Sequence, residues 1–353
     1  MTRLEESLEK IQLIRNELFD ADHKVLVIQK QNNFAWVTAG ARSFIGLASE
    51  NACVSLVITE NEVYLAGNNI EVPRLIAEEL PDNLCQPFAL PWAEDFTLAS
   101  VIRKHFGEFY TDQEKAGWFK EKRMILNPNE CDRYREIGKL TAQAVEKSCM
   151  QAVPSMTEFQ LGGLVSAGLW AAGLEPITIL VAGDTRSQRV RHYVPTDQTL
   201  DSGAIVSVCA RAFGLVVSCT RTVAFTDDFA SKYRQLLNVE QDIFESTMPG
   251  ASLHDILETA KKSYTANQLD KEWMNHHQGG LTGYMAREIR VDSETKGCAS
   301  VGNAFAWNPS AVGCKCEDTF LLTSDGPEIL TPVSTPWPTV QKGRFTRPDI
   351  LRK

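Results

Sequence analysis

An α/β (α+β) fold in two domains is predicted by the way strand and helix patterns alternate along the 353-residue sequence. In the first third, short runs rich in β-branched residues alternate with amphipathic helical segments. Further on, two apolar runs that turn near Gly214 predict an antiparallel hairpin between long helical patterns. Hydrophobic residues make up 43% of the chain and charged residues 23%, which is typical of a globular protein with a sizeable core.

The first domain is predicted to span residues 1–125 and to be a small α/β unit. It opens with an amphipathic helix, and VPRLIAEEL and LASVIRKHF predict two more helices. Four β-rich runs lie between them: VLVIQ from Val25, AWVT from Ala35, ACVSLVIT from Ala52 and EVYLAG from Glu62. Phe34 and Trp36 are predicted to pack in the core by default, with an aromatic lid across a dimer as the alternative.

The second domain is predicted to span residues 126–353. Its start is indicated by Asn127-Pro128-Asn129, because proline favours the first turn of a helix. Two long helices are predicted next, and Thr157 is expected to cap the second of them. A strand from Ile177, the hairpin and two further helices follow. The chain then returns to strands, including DTFLLT from Asp318, and the closing segment with Pro338 and Pro348 predicts a tail or a swapped arm.

Charge and composition exclude several classes of partner. The net charge is −9, so the chain offers little electrostatic attraction to the phosphate backbone of a nucleic acid. The N-terminus lacks the apolar run of a signal peptide, and no apolar stretch is long enough for a membrane span. Nine cysteines, an odd number, predict reduced thiols in a cytoplasmic protein without disulfides.

Four short motifs, in a fixed order, carry a family resemblance. They are His192-Tyr193-Val194-Pro195-Thr196-Asp197, Thr220-Arg221-Thr222, His277-Gln278-Gly279-Gly280-Leu281 and the segment from Gly313 to Cys316-Glu317-Asp318-Thr319. Together they resemble the creatinase, aminopeptidase P and prolidase family. The resemblance implies a pita-bread fold for the second domain, a smaller creatinase-type α/β domain before it, and a homodimer.

The resemblance also implies five metal-ligand positions, which in the family hold two divalent ions through two Asp, one His and two Glu. In this sequence those positions fall on Ser207, Ser218, His277, Asn308 and Glu317. Only His277 and Glu317 retain a ligand of the family's type, and His276 is a near alternative to His277. Three carboxylates are therefore missing.

The missing carboxylates matter because two divalent ions about 3.5 Å apart repel each other by about 19 kcal/mol at an effective dielectric constant of about 20. One remaining carboxylate cannot offset that repulsion. We therefore expect no metal pair and no cofactor. A single divalent ion held by His277, Glu317 and a thiol such as Cys209 is the alternative, because alternation along a strand puts Cys209 on the same face as Ser207.

Creatinase, within the resembled family, implies that this fold can hydrolyse a C–N bond without metal. On that basis His192 is predicted to be the general acid/base, Glu317 to bind or polarise the substrate, and His277 to carry a second proton. Further substrate contacts are predicted for neutral side chains at the altered positions and for one arginine: Ser207, Ser218, Asn308, Tyr284 and Arg191.

Three functions remain open from the sequence. The first is a metal-independent hydrolase that acts on a small amide, guanidino compound or dipeptide. The second is an Xaa-Pro aminopeptidase or dipeptidase with an atypical metal site. The third is a non-catalytic binding protein that keeps the fold and the cleft.

Overall fold

The computed structural model describes residues 1–93 and 97–353, which fold into two compact units. The first unit comprises residues 1–123 and 213–215, and the second comprises 124–212 and 216–353. The domain limits predicted from the sequence, 1–125 and 126–353, stay a prediction. Each unit is described by itself below.

Among its described residues, the first unit forms one five-stranded sheet with helices. Its helices are α1 (Arg3–Leu18), α2 (Gln31–Val37), α3 (Glu71–Glu78), α4 (Leu98–Phe106) and α5 (Ala116–Arg123). Its strands are β1 (Val25–Lys30), β2 (Asn51–Thr59), β3 (Val63–Asn68), β4 (Gln86–Leu90) and β5 (Tyr110–Thr111). The strand order is β4-β3-β2-β1-β5, with antiparallel pairs at the centre and a parallel pair at each edge.

The run AWVT, predicted as a strand, lies instead in and just after the short helix α2. The carboxylate of Asp112 accepts hydrogen bonds from the backbone N–H of Lys30 at 2.9 Å and from Asn33 Nδ2 at 2.8 Å. These bonds end β1 and fix the start of the helix. Phe34 and Trp36 are 0% and 3% exposed, so both pack in the core, as the default interpretation holds.

The second unit contains most of the chain. Its helices are α6 (Pro128–Cys149), α7 (Glu158–Ala171), α8 (Asp184–Ser187), α9 (Tyr233–Ser246) and α10 (Leu253–Ala266), followed by a 3-10 turn (Glu272–Asn275). Asn127 caps α6 and Thr157 caps α7, each in a capping box, where the sequence predicts these helices to begin.

Thirteen strands of the second unit are described. They are β6 (Glu175–Ala182), β7 (Gly203–Ala212), β8 (Leu215–Ala224), β9 (Gly279–Thr282), β10 (Ile289–Arg290), β11 (Ala304–Trp307), β12 (Ser310–Ala311), β13 (Cys314–Lys315), β14 (Asp318–Thr323), β15 (Gly326–Ile329), β16 (Thr339–Lys342), β17 (Phe345–Pro348) and β18 (Leu351–Arg352). One sheet has the order β18-β8-β7-β6, a second has the order β10-β9-β11-β14-β15, and two strand pairs complete the unit. The predicted hairpin is formed by β7 and β8.

The closing segment is part of the second unit's sheet and core, so the prediction of a tail or swapped arm is wrong. Strand β18 pairs in parallel with β8. Arg347 is 2% exposed and binds Asp318 at 2.6 Å and Glu240 at 2.7 Å. Arg221 binds the same Asp318 at 2.9 Å and Glu146 at 2.6 Å. Buried charges need such partners, and here they link the C-terminal strands to the body of the unit.

Two simpler predictions can be compared with the structure. All nine cysteines lie within the described residues and are free thiols, as expected. Among the helices of residues 1–93 and 97–353, none is long and apolar enough to cross a bilayer.

Candidate active site

A cavity of about 190 Å³ lies in the second unit and brings together most of the predicted site residues. Five of them line it: His192, Ser207, His277, Asn308 and Glu317. The remaining lining residues are Thr178, Leu180, Val208, Cys209, Ala286, Arg287 and Lys315.

One wall of the cavity is formed by the neighbouring strands β6 and β7. Ser207 pairs with Leu180 and Cys209 pairs with Thr178 across the antiparallel ladder. Residues two apart in a strand share a face, so all four side chains reach the same cavity. Ser207 and Cys209 therefore lie on the same face of β7, as the alternation of side chains along a strand predicts.

The opposite wall depends on a close approach between β9 and β11. The backbone N–H of Asn308 donates to the carbonyl of Gln278 at 2.9 Å, which holds Asn308 beside His277. Gly279 follows with φ of +106°, and a Cβ there would lie 2.2 Å from the carbonyl oxygen of Ala306. Only glycine fits this position, and it lets the histidine segment pack against β11.

Glu317 lies at the centre of a buried ion cluster. Its carboxylate is bound by Lys315 Nζ at 2.9 Å and by the Arg287 guanidinium at 2.9 Å, and Thr220 donates a hydrogen bond at 3.3 Å. Burial alone would raise the pKa of Glu317, but Lys315 and Arg287 hold it at about 2. The carboxylate is therefore ionised at neutral pH.

Lys315 and Arg287 were not identified from the sequence. A signal for Lys315 was present, because it lies two residues before Glu317 in an extended segment and so points to the same side. Arg287 is thirty positions away from Glu317, and no local pattern relates the two. Lys315 is only 4% exposed, so its charge is carried inside the cavity wall.

Three histidines meet at the cavity. His192 Nε2 lies 3.1 Å from His276 Nε2, and the rings of His276 and His277 stack with centroids 4.4 Å apart. The sequence left open whether His276 or His277 faces the cleft. His277 lines the cavity, whereas His276 is not among the lining residues, is 8% exposed and contacts His192.

All three imidazoles are neutral at neutral pH. Burial, with the charge of Lys315, lowers the pKa of His276 to about 3. Burial, with the charge of Arg287, lowers the pKa of His277 to about 4. The pKa of His192, at the exposed mouth of the cavity, is also lowered, by partial burial and by Lys315. A neutral imidazole has a free lone pair and can accept a proton.

Two of the predicted substrate contacts lie away from the cavity lining. Ser218 is fully buried, and its hydroxyl interacts with Cys209 Sγ at 3.2 Å. The Tyr284 hydroxyl donates to Glu130 at 2.7 Å, and the residue is 3% exposed. Both positions therefore contribute to packing and buried hydrogen bonds, and the predicted contact of Ser218 and Tyr284 with a ligand is not retained.

Arg191 is the third predicted contact that is engaged elsewhere. Its guanidinium forms an ion pair with Glu272 in the 3-10 turn. Arg191 is not among the residues that line the cavity. The positive charges in the cavity lining belong to Arg287 and Lys315, and not to Arg191.

Comparison with known proteins gives one family match and several similar structures. Residues 132–324 match the model of Metallopeptidase family M24. An uncharacterised peptidase of Staphylococcus aureus is 23% identical over 231 residues, which span 60% of this chain and 64% of that protein, or less than two thirds of its length.

Among solved structures, the prolidase of Pyrococcus horikoshii has a TM-score of 0.73 at 18% identity, covering 94% of this chain and 99% of that one. The X-Pro aminopeptidase of Thermotoga maritima has a TM-score of 0.73 at 14% identity, covering 98% of this chain and all of that one. At such identities the likeness shows the fold. The pita-bread fold and the resemblance to the creatinase, aminopeptidase P and prolidase family are thereby confirmed.

The prediction that no cofactor is needed is wrong. The matching model is that of a metallopeptidase family, so a divalent metal is part of the chemistry that the family uses. The expectation of no cofactor rested on the three missing carboxylates and on the metal-free chemistry of creatinase within the resembled family. It does not hold for the family as a whole.

Whether these residues fit the family's metal pair is a separate matter. The Ser207 hydroxyl is bonded to Thr220 at 2.8 Å, and Glu317, the one carboxylate among the five positions, already binds two cations. These donors do not fit a pair of divalent ions. The ligand atoms of the three histidines, His192, His276 and His277, lie within 4.8 Å of one another, so one ion would find three nitrogen donors there.

Proposed function

The chain belongs to Metallopeptidase family M24, and from this membership we propose that it is a hydrolase that cleaves a C–N bond in a small substrate, with His192 as the acid/base. The observation that carries the proposal is the position of His192. It lies at the mouth of the cavity, is neutral at pH 7, and has its Nε2 atom 3.1 Å from His276 Nε2.

His192 is the main proton carrier of the proposed reaction. Neutral His192 takes a proton from a water molecule as the water oxygen forms a bond to the substrate carbon. The imidazolium then gives that proton to the leaving nitrogen as the C–N bond breaks. Because one Nε2 of the His192–His276 contact must carry the hydrogen and the other must accept it, the tautomers of the two rings are coupled.

The other predicted site residues support this reaction in different ways. His277 lines the cavity and is neutral, so it is proposed as the second proton carrier. Glu317 is ionised and both of its oxygens are bound, so we propose that it holds Lys315 and Arg287 in place and does not accept a proton. Ser207 and Asn308 supply neutral polar groups to the wall.

The substrate is proposed to be small. A cavity of about 190 Å³ is below the range of roughly 300–1,000 Å³ that drug-sized ligands occupy. Because a prolidase and an X-Pro aminopeptidase are among the similar structures, Xaa-Pro dipeptides are candidate substrates, together with small amides and guanidino compounds.

We also propose that the protein is a homodimer and that it is located in the cytoplasm. The nine free thiols are consistent with the cytoplasmic location. Sedimentation velocity tests the dimer.

Turnover of a panel tests the proposed reaction. The panel comprises creatine, guanidino acids, simple amides and Xaa-Pro dipeptides, with release of the amine as the readout. His192→Ala should lower kcat/KM by about 100-fold or more, since general acid–base catalysis contributes about that much. His254→Ala, at a half-buried histidine that does not line the cavity, is the control and should leave the rate unchanged.

Two results would contradict the proposal. Binding of panel compounds without turnover of any would favour a non-catalytic binding protein. Equal rates for the wild type and His192→Ala would remove His192 from the reaction.

A further inference from the structure

We propose that His192, His276 and His277 bind one late transition-metal ion, such as Zn²⁺ or Cu²⁺, and that this site replaces the carboxylate-rich metal pair of the resembled family. The two kinds of site differ in their donors, because all three donors here are imidazole nitrogens. They differ for that reason in the class of metal they prefer. The binding of the ion does not depend on the reaction proposed above, whereas its effect on turnover rests on that proposed function.

The three histidine side chains converge although they come from two distant segments. The backbone of His276 is extended, with φ of −159°, and neighbouring side chains on an extended backbone usually point to opposite sides. The rings of His276 and His277 nevertheless stack with centroids 4.4 Å apart. His192 lies 84 positions before His276, and the two Nε2 atoms are 3.1 Å apart. One ligand atom of each residue lies within 4.8 Å of the other two.

These distances are compatible with a single first-row ion. Bonds from zinc to an imidazole nitrogen are about 2.0–2.1 Å long, so two nitrogens of a tetrahedral site lie about 3.3 Å apart. The distance of 3.1 Å between His192 and His276 is close to that value. The longer distances, of up to 4.8 Å, shorten when the side chains rotate, and the exposed His192 has room to do so.

The hydrogen bonds of the protein leave these rings incompletely paired. His276 is 8% exposed, and its Nδ1 atom is buried with no partner among the described residues. The Nδ1 atom of His277 is in the same situation. Between two neutral rings, the contact of His276 with His192 holds only one hydrogen. Because buried polar atoms are nearly always paired, unpaired nitrogens at this density indicate a place for an ion or a water molecule.

The donor atoms decide which ion binds. Imidazole nitrogen favours Zn²⁺, Cu²⁺ and Ni²⁺, whereas Mn²⁺ and Mg²⁺ favour carboxylate oxygen. Glu317 is the carboxylate in the cavity lining, and its oxygens are bound by Lys315 and Arg287 at 2.9 Å each. Mn²⁺ therefore lacks the charged oxygen ligands that it prefers, while a late transition-metal ion finds three nitrogens.

Lys315 limits the affinity of the site for any cation. It lines the same cavity as His192 and His277, and together with Arg287 it outnumbers the single anion Glu317. The net positive charge of this group repels a divalent ion. Lys315→Met, which removes one positive charge, should therefore tighten the binding of Zn²⁺ by about 10-fold or more.

A bound ion would also change the chemistry of His192. An imidazole that binds an ion through one nitrogen carries its hydrogen on the other, so it has no lone pair left to accept a proton. The ion and the proton therefore compete for His192. In the hydrolase proposed above, one equivalent of Zn²⁺ should lower turnover by about 10-fold or more, and a chelator should restore it.

Calorimetric titration of the metal-free, full-length protein with zinc chloride and with manganese chloride tests the site. Within residues 1–93 and 97–353, no second group of three or more His, Cys, Asp or Glu side chains is arranged in this way, so one equivalent of Zn²⁺ is expected. It should bind about 100-fold or more tightly than Mn²⁺. The electron paramagnetic resonance spectrum of the Cu²⁺ complex should show coupling to the imidazole nitrogens.

Variants test the individual donors. His276→Ala should weaken the binding of Zn²⁺ by about 100-fold or more, since loss of a group that merely supports a metal ligand already costs about 10–100-fold. His192→Ala, at an exposed position, should weaken it by about 10-fold or more for the same reason. His254→Ala lies outside the cluster and is the control that should bind Zn²⁺ as the wild type does. Thermal unfolding of the metal-free proteins shows whether each variant is folded.

The outcomes separate the metal site from the hydrolase. Zn²⁺ that binds as tightly to folded His276→Ala and His192→Ala as to the wild type would overturn the site, and so would tighter binding of Mn²⁺ than of Zn²⁺. Tight binding of Zn²⁺ with a loss of turnover would support both proposals. Tight binding with an increase in turnover would support the site and contradict His192 as the acid/base.

Discussion

Lys315 Nζ lies 2.9 Å from a carboxylate oxygen of Glu317, and both residues are only 4% exposed. Glu317 lies at a position where the resembled family has a metal ligand. In this protein, positively charged side chains neutralise the charge of its carboxylate. A second cation, Arg287, binds the other oxygen at 2.9 Å. The electrostatics of the cavity therefore depend on this cluster of three charges, and several measurements follow from it.

Removing the anion of this cluster should cost more stability than removing one cation. Glu317→Gln leaves Lys315 and Arg287 close together with no counter-charge, and it should lower the unfolding free energy by about 3–5 kcal/mol. Lys315→Met leaves the pair of Arg287 and Glu317 intact and removes one hydrogen bond to Glu317, so it should cost roughly 1–3 kcal/mol. Urea unfolding measures both, with Lys296→Met at an exposed lysine as the control. Equal losses for the two variants would contradict this charge balance.

Metal content should stay below the two equivalents of a metal pair. After incubation with manganese, cobalt or zinc, we expect at most one divalent ion per chain by elemental analysis, because one carboxylate cannot offset the repulsion of about 19 kcal/mol between two ions. If one ion binds, His276→Ala should abolish it, since His276 is central to the three-histidine cluster. Two equivalents in the wild type would refute the assignment of the five positions.

Stability should fall as the pH drops below 6.5. In the unfolded chain His276 takes up a proton near pH 6.5, whereas in the folded protein its pKa is about 3. Between these values the unfolded state binds more protons, so the unfolding free energy decreases with falling pH, by at most about 1.4 kcal/mol per pH unit for this group. His276→Gln should flatten the profile between pH 6.5 and 4, and His254→Gln should not. An unaltered slope in His276→Gln would show that other groups cause the decrease.

The C-terminal strands should be required for stability. Arg347→Ala leaves Asp318 and Glu240 buried without one of their cations, and it should lower the unfolding free energy by about 3–5 kcal/mol. Arg344→Ala, at an exposed arginine of the same hairpin, is the control and should cost about 1 kcal/mol or less, because its hydrogen bond to the Asp325 carbonyl is exposed to solvent. A loss of similar size in both variants would argue against the buried network.

The sequence predicted most elements whose pattern is local. The capped starts of α6 and α7 and the hairpin of β7 and β8 follow from capping residues and strand patterns that lie within a few positions of one another. The run AWVT was assigned to a strand because a short apolar run does not distinguish strand from helix. The hydrogen bonds of Asp112, about eighty positions away, fix the start of helix α2, and no local pattern in the sequence identifies that partner.

The site was predicted in part for the same reason. The ordered motifs identify His192, His277, Asn308 and Glu317 as candidates, and all four line one cavity. The partners that set their charge come from elsewhere in the chain, as Arg287 does, and the packing of Tyr284 against Glu130 is equally nonlocal. A pattern of residue types can name positions in a cleft, but ion pairs between distant segments appear only when the chain is folded.

The measurement that tests the role of His192 most directly is the pH dependence of kcat/KM for the best substrate of the panel. Burial and Lys315 lower the pKa of His192, so kcat/KM should be constant around pH 7 and fall only below about pH 6.5. In His192→Ala the residual activity should lose this acidic decrease. An acidic decrease that begins above pH 7, or one that persists unchanged in His192→Ala, would contradict His192 as the proton carrier.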